Sequence, residues 1–367
     1  MTLRKAASLP VVMYHYVNED AGGITLSPAR FEDHCRTLAQ NGWRGVGLDE
    51  AEAFFLKGAA LPERSVLLTF DDGFLDNYQT ALPILARHGH KGVVFAVSSR
   101  LEKCDTPRIS VADALSGKTP APPEVAHPLR RTKQGHIVRQ DVFMSHAEAR
   151  AADTEGTLAV ASHCRGHFGV FTGPEFADFF RPRDNQRTFF RTEAEPVWGL
   201  PDFSVRSGLA HRAFLPAARL VEDVQELVPQ NRDGADEFFA NPEAVRELRA
   251  VVERHAQNMG RLETDEERLV RMRREIAGGK NELEAILGHE LRTLCWPWGE
   301  YDDTALALAQ EAGFRLLVTT AEGPNTPGDA LAVHRFKGKD KSGDWLVSRL
   351  RIYSRPLLGK VYARLRI

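Results

Sequence analysis

The sequence predicts an α/β protein built on a largely parallel barrel or open sheet. Three observations carry this. Strand-like and helix-like stretches alternate over most of the 367 residues. One strand–helix–strand unit is complete between Ser65 and Val97. It has an apolar run Val66-Leu67-Leu68-Thr69-Phe70, a helix-like segment from about Asn77 to His88 closed by Gly89, and a second run from Gly92 to Val97. The first run ends in Asp71-Asp72-Gly73, at the strand end where such sheets keep reactive groups.

Taken in order, Pro10 to Tyr16 reads as a buried first strand with His15 at its end. Ser27 and Pro28 suit the N-cap and first position of a helix stopped by Gly42, with Phe31, Cys35 and Leu38 as its apolar stripe. A short strand (43–48) and a helix (48–57) follow, then the Ser65–Val97 unit. Between Leu101 and Gln140 the pattern weakens, and Pro107, Pro120, Pro122 and Pro123 predict a long loop. A helix over 145–153 leads to the strand Thr157–Ala161, which runs into Ser162-His163-Cys164-Arg165-Gly166-His167. The stretch from Phe168 to Arg261 has the least readable pattern, with a helical section over 242–259. Beyond it the sequence predicts one amphipathic helix over 262–287 ended by Gly288 and a strand over 291–296. A helix over 302–313, strands over 314–319 and 330–336, and a final helix starting near Trp345 complete the chain.

Composition bounds the function. Apolar residues make up 43% and charged residues 27%, enough for a sizeable core. The 48 basic and 50 acidic residues leave a net charge of −2, which gives no support to a nucleic-acid binder. Cys35, Cys104, Cys164 and Cys295 form no CxxC pair and read as reduced thiols of a cytoplasmic protein. No run is long and apolar enough for a signal core or a membrane span.

The chemistry lies in two motifs. Adjacent carboxylates at a strand end suit a division of labour, one binding a metal and the other staying free as a base, although a solvated Asp-Asp-Gly turn has the same sequence. His163 and His167, four apart, can converge in a loop after a strand. One carboxylate with two imidazoles is a common ligand set for a catalytic divalent ion.

These residues bring a resemblance with them. Thr69-Phe70-Asp71-Asp72-Gly73 resembles the TFDDG motif of the polysaccharide deacetylases, the nodulation-protein-B homology family of carbohydrate esterases. His163-Cys164-Arg165-Gly166-His167 resembles the family's H-[S/T]-x-x-H, and Trp296-Pro297-Trp298-Gly299 its P-Y-G motif. Tyr14-His15 and the stretch 27–50 look like the branch acting on poly-N-acetylglucosamine. The resemblance covers about residues 10–167 and 263–350. It implies a deformed (β/α) barrel with a long insertion, 168–261, after the HxxxH motif, all within one catalytic domain over 1–367. It implies a metal-dependent N-deacetylase acting on an N-acetylated sugar or glycan of the cell surface, free or carried on a lipid. Asp72, His163 and His167 would hold the metal, with zinc first and iron, cobalt, nickel or manganese as fits. Asp71 would be the base, Pro297 and Trp298 would stand by the oxyanion, and His15 would be the acid, with His334 as the alternative. An amidohydrolase on a small non-sugar amide and a non-catalytic glycan binder are the competing functions.

The sequence departs from the family pattern at Cys164, in the place of a hydroxyl, and at Trp298, in the place of a tyrosine. Cys295 falls near where many members carry an arginine that pairs with the base, so control of the Asp71 pKa is left open. Arg181, Arg183, Arg187 and Arg191, interleaved with Phe179, Phe180, Phe189, Phe190 and Trp198, suggest a specificity surface within the insertion, over the mouth of the site. The segment 348–367 has six basic residues and no acidic one among its aliphatic and aromatic side chains. That composition suits peripheral contact with an anionic membrane at the inner surface, and equally a last helix packed across the barrel.

Overall fold

The structure, a computed structural model, describes residues 4–19, 24–123, 129–132, 135–138, 140–181, 192–193 and 198–365. The chain forms two compact units, one of 1–124, 140–166 and 274–367, the other of 125–139 and 167–273.

The first unit is organised by one parallel sheet. Its strands are β1 (Val11–Tyr14), β2 (Arg44–Gly45), β3 (Ser65–Asp72), β4 (Gly92–Ala96), β5 (Leu158–Ser162), β6 (Thr293–Cys295), β7 (Leu316–Val318) and β8 (Phe336–Lys337). Their order is β7-β6-β5-β4-β3-β1-β8, with β2 beside the start of β3. Every residue of β3 is buried, as expected when helices cover the faces of a parallel sheet. Val333 bridges to Val318 at one edge and Phe336 pairs with Val12 at the other. The stretch 333–337 therefore closes the curl on itself, and the unit is a deformed (β/α) barrel. Because this stretch crosses from one edge to the other, no partner runs its full length. The expected strand over 330–336 is reduced to one bridge and the two residues of β8.

The helices follow their cap signals. In α1 (Pro28–Gln40) the Ser27 side chain accepts a hydrogen bond from the Arg30 N–H at 3.3 Å, and Phe31, Cys35 and Leu38 are buried. α2 (Leu48–Lys57) has the expected bounds. The helix expected over 77–88 divides into a π turn, Asn77–Ala81, and α3 (Leu82–Arg87). α4 (His146–Glu155) opens on a capping box between Ser145 and Glu148. The single helix expected over 262–287 is interrupted by a second π turn, Arg274–Gly278, before α5 (Gly279–Leu287). α6 (Asp303–Glu311) is capped by Asp302. The final helix is two, α7 (Gly343–Tyr353) and α8 (Pro356–Arg364), because Pro356 has no N–H to continue the first. The long loop expected over 101–140 contains a short helix, Val111–Ser116, and an antiparallel strand pair, Leu129–Thr132 with Gly135–Val138. Val11, Leu67, Val93, Phe95, Ala161, Cys295, Leu316, Val318 and Val333 pack with Phe54 and Phe55 of α2 into the core.

The second unit has a core of its own. Gly169–Phe179 pairs antiparallel with Pro201–Ser207. Phe171, Phe203 and Phe214 pack there against Leu220, Val224, Leu248 and Val251 of two helices. Phe179 and Trp198 are part of this core, and Arg181 pairs with Asp178. Arg183, Arg187, Arg191, Phe189 and Phe190 lie outside the described residues.

Candidate functional site

Asp71 and Asp72 are the last residues of β3, both buried, paired in register with Phe95 and Ala96 of β4. The chain bends at once: Asp72 has φ 78° and Gly73 φ 81°. Two neighbours that would face opposite sides of a straight strand can then serve one site. β5 ends at Ser162, and His163 follows it. The His163 Nδ1 is 2.8 Å from the Cys295 carbonyl at the end of β6, which fixes Nδ1 as the protonated nitrogen and leaves the Nε2 lone pair, 3.6 Å from Asp72 Oδ1. His167 stands where the chain passes from the first unit to the second. Ligand atoms of Asp72, His163 and His167 all lie within 4.8 Å of one another.

The loop that carries the two histidines is held tightly. The Arg165 and Gly166 N–H groups donate to Glu275, to its carbonyl at 2.9 Å and its carboxylate at 2.8 Å. Glu275 is in the second π turn. Gly279, just past that turn, meets the loop so closely that a Cβ there would stand 2.6 Å from the Arg165 nitrogen. From the other side, Ser98 and Ser99 donate to the Cys164 and Arg165 carbonyls. The first π turn likewise braces a strand-end residue. Its Asn77 amide donates to the His15 carbonyl at 2.7 Å and to Asp76 at 2.9 Å. Four non-glycine residues of the described chain have positive φ, namely Asp72, Cys164, His167 and Trp298. Asp72 ends β3, and the other three lie in the loops that follow β5 and β6. Such strain costs about 1–3 kcal/mol per residue and persists where the surroundings impose it, most often at functional sites.

Asp71 has a partner that the sequence did not announce. The fully buried Arg335 grips it with two bonds, Nη1 to Oδ1 at 2.6 Å and Nη2 to Oδ2 at 2.9 Å. The guanidinium also donates to the Thr319 carbonyl, to Thr69 Oγ1 and to Cys295 Sγ. Burial pushes the Asp71 carboxyl up, but Arg335, with His163 and His15 behind it, outweighs this and holds it below the usual carboxylate range. The arginine reaches Asp71 from the barrel seam, not from the neighbourhood of Cys295 in sequence. The only hint in the sequence was a charge between Val333 and Phe336 in an apolar stretch.

His15 Nε2 is 3.9 Å from Asp71 Oδ2. Burial lowers its pKa to about 4, against the pull of Asp71. His334 is placed elsewhere. Adjacent residues of an extended chain face opposite ways, and Arg335 takes the inward side. The His334 ring lies against Gly323, its backbone is held by Asn325, and burial lowers its pKa against the pull of Asp329. Pro297 and Trp298 form the turn after β6, with the Trp298 carbonyl accepting from Thr320 Oγ1 at 3.2 Å. Cys164 is buried, which pushes its thiol well up and keeps it protonated.

The residues fit a divalent ion. Burial and the charge of Asp71 push the Asp72 carboxyl up, a position in which a bound cation stabilises the carboxylate. The two imidazoles and one carboxylate are the donors that zinc and its neighbours take. A second cluster, Asp71, His163 and Cys295, is equally close, but there the Arg335 guanidinium already occupies both Asp71 oxygens and touches the sulfur.

A barrel with this strand-end site belongs to the polysaccharide deacetylases: the sequence profile of that family matches residues 58–168 and 230–317, and the chain is a member. Among particular proteins, the chain is similar to the polysaccharide deacetylase-like protein YxkH of Bacillus subtilis (strain 168), 34% identical over 97 residues. That match covers 26% of this chain and spans about a third, 34%, of the relative's length. Among the solved structures that share the fold are a de-N-acetylase and a deacetylase domain. A de-N-acetylase from Aggregatibacter actinomycetemcomitans has a TM-score of 0.60 at 19% identity, over 93% of this chain and 99% of the other. The BpsB deacetylase domain from Bordetella bronchiseptica has a TM-score of 0.55 at 21% identity, over 90% and 96%.

Proposed function

We propose that the protein is a metal-dependent N-deacetylase that removes acetate from an N-acetylated sugar or glycan, in the making of a cell-surface polysaccharide. One observation carries the reading: Asp71, held ionised by Arg335, stands next to the Asp72, His163 and His167 cluster. Likeness to a de-N-acetylase and to a deacetylase domain supports an amide of this type as substrate.

Asp72, His163 and His167 would hold the ion, zinc by first preference. When bound, it supplies a Lewis acid for the acetyl carbonyl and lowers the pKa of water. The chain's own part is proton movement. Asp71 takes a proton as water attacks the carbonyl carbon. His15 is neutral at pH 7 with a pKa of about 4, so its acid form must be made during turnover. The 3.9 Å from Asp71 Oδ2 to His15 Nε2 gives that proton a short path to the ring. From there it passes to the nitrogen as the C–N bond breaks, leaving acetate and a free amine. A turn N–H near Trp298 would steady the oxyanion.

The test is acetate release from N-acetylglucosamine oligomers and from nucleotide- or lipid-linked acetamido sugars. No release from any of them by metal-loaded protein would refute the reading. His15→Ala should lower turnover by roughly 10²- to 10⁴-fold with metal content intact, while His334→Ala should change it little. A reversal of those two outcomes would move the acid to His334.

A further inference from the structure

Helix α8 is built the wrong way round for a helix that caps a soluble core. At about 100° per residue, Leu357, Leu358 and Val361 fall within an arc of about 100°, and Leu365, the C-cap in αR conformation, continues it. They are 83%, 44%, 57% and 80% exposed. The side turned to the body holds the two buried residues of the helix, Gly359 and Ala363, roughly opposite that arc. Gly359 rests on Pro324, where a Cβ would stand 3.1 Å from the proline ring. Tyr362 packs edge-on against Tyr353, with Arg349 over its ring. The helix is thus fixed by its small residues and an aromatic flank, and its large aliphatic side chains face outward.

Charge says what would cover them. Lys360 and Arg364, one turn apart and exposed, border the apolar arc on one side, and exposed Arg355 lies beyond it on the other. The segment 348–367 has no Asp or Glu side chain. Two copies packed face to face would bring these cations together, so a second copy is disfavoured. An anionic lipid surface meets both needs, taking the aliphatic arc into its acyl boundary and the cations among its headgroups.

We infer that α8 is a membrane-surface helix, which docks the barrel on an anionic lipid bilayer through Leu357, Leu358, Val361 and Leu365. This goes beyond the catalytic reading and does not depend on it. Among the described residues no helix is long and apolar enough to cross a membrane, so the contact is peripheral.

The test is co-sedimentation of the full chain with phosphatidylcholine vesicles, with and without phosphatidylglycerol, at low and high salt. Binding is expected to the anionic vesicles and to fall with salt. Leu357→Glu with Leu365→Glu should weaken it about tenfold or more. Lys360→Gln with Arg364→Gln should weaken it less and reduce its salt dependence. The exposed sites predict an unchanged melting midpoint; should the glutamates lower it, Leu357→Ser with Leu365→Ser replaces them. The inference is overturned if the wild-type chain ignores anionic vesicles or if the leucine variants bind as well as it does. It is overturned equally if light scattering shows a dimer, without vesicles, that the leucine variants abolish.

Discussion

Replacing Arg335 with methionine is expected to cripple both stability and activity. The side chain is fully buried and its charge is matched by Asp71. Removing one member of such a pair leaves the other charge without compensation, a loss of about 3–5 kcal/mol. The sign with pH follows. In the intact protein the Asp71 pKa is depressed, so its contribution to stability is present above the ordinary carboxylate pKa and disappears as pH falls through the depressed value. In Arg335→Met the burial that raises the carboxyl is left with less opposition. The acid limb of the kcat/KM profile should move to higher pH, and urea midpoints should drop most at neutral pH. Arg335→Lys should recover part of the stability and little of the profile, because an ammonium cannot make both bonds of the fork. An Arg335→Met profile that overlays the wild type would show that Asp71 does not need this partner.

The second large effect belongs to Asp72. Asp72→Ala removes the one carboxylate of the candidate ligand set and leaves His163 and His167 in place. Metal content by elemental analysis should fall from near one ion per chain to near none. Acetate release should fall by roughly 10³-fold or more, since the stabilisation a metal gives a developing oxyanion is several kcal/mol and each ~1.4 kcal/mol is tenfold. Asp72→Asn separates ligation from folding: it preserves shape, so loss of metal at an unchanged melting midpoint would place the effect in the ligand set. Full metal content in both variants would exclude Asp72 as a ligand.

What the sequence made legible was local. An apolar run ending in Asp71-Asp72-Gly73 announced a strand end, and Ser27-Pro28 announced a helix start, because a few neighbouring residues determine each. His163 and His167 were legible as a pair for the same reason. Arg335 was not, because its role depends on a contact across 264 residues and on which way a seam residue faces. The two π turns were equally hidden. They shift a hydrogen-bond pattern by one residue without a composition signal, yet they bring Asn77 to His15 and Glu275 to the histidine loop. The strand pair 169–179 and 201–207 was missed because its aromatic and polar residues alternate irregularly, with register shifts between Phe171 and Asp178.

The seam has a consequence for how the molecule is made. Asp71 lies on a strand that a growing chain produces early, while its counter-charge arrives only with the stretch 333–337, which also joins the two edges of the sheet. Non-local closure of this kind is slow, because the entropy of ordering the intervening chain must be met before the contact exists. The carboxylate is therefore assembled into its paired, ionised state in the same event that closes the barrel. A partly folded chain, however much of its helix content is in place, has an open sheet edge and an acid without its arginine, so under the proposed function acetate release would serve as a reporter of complete folding.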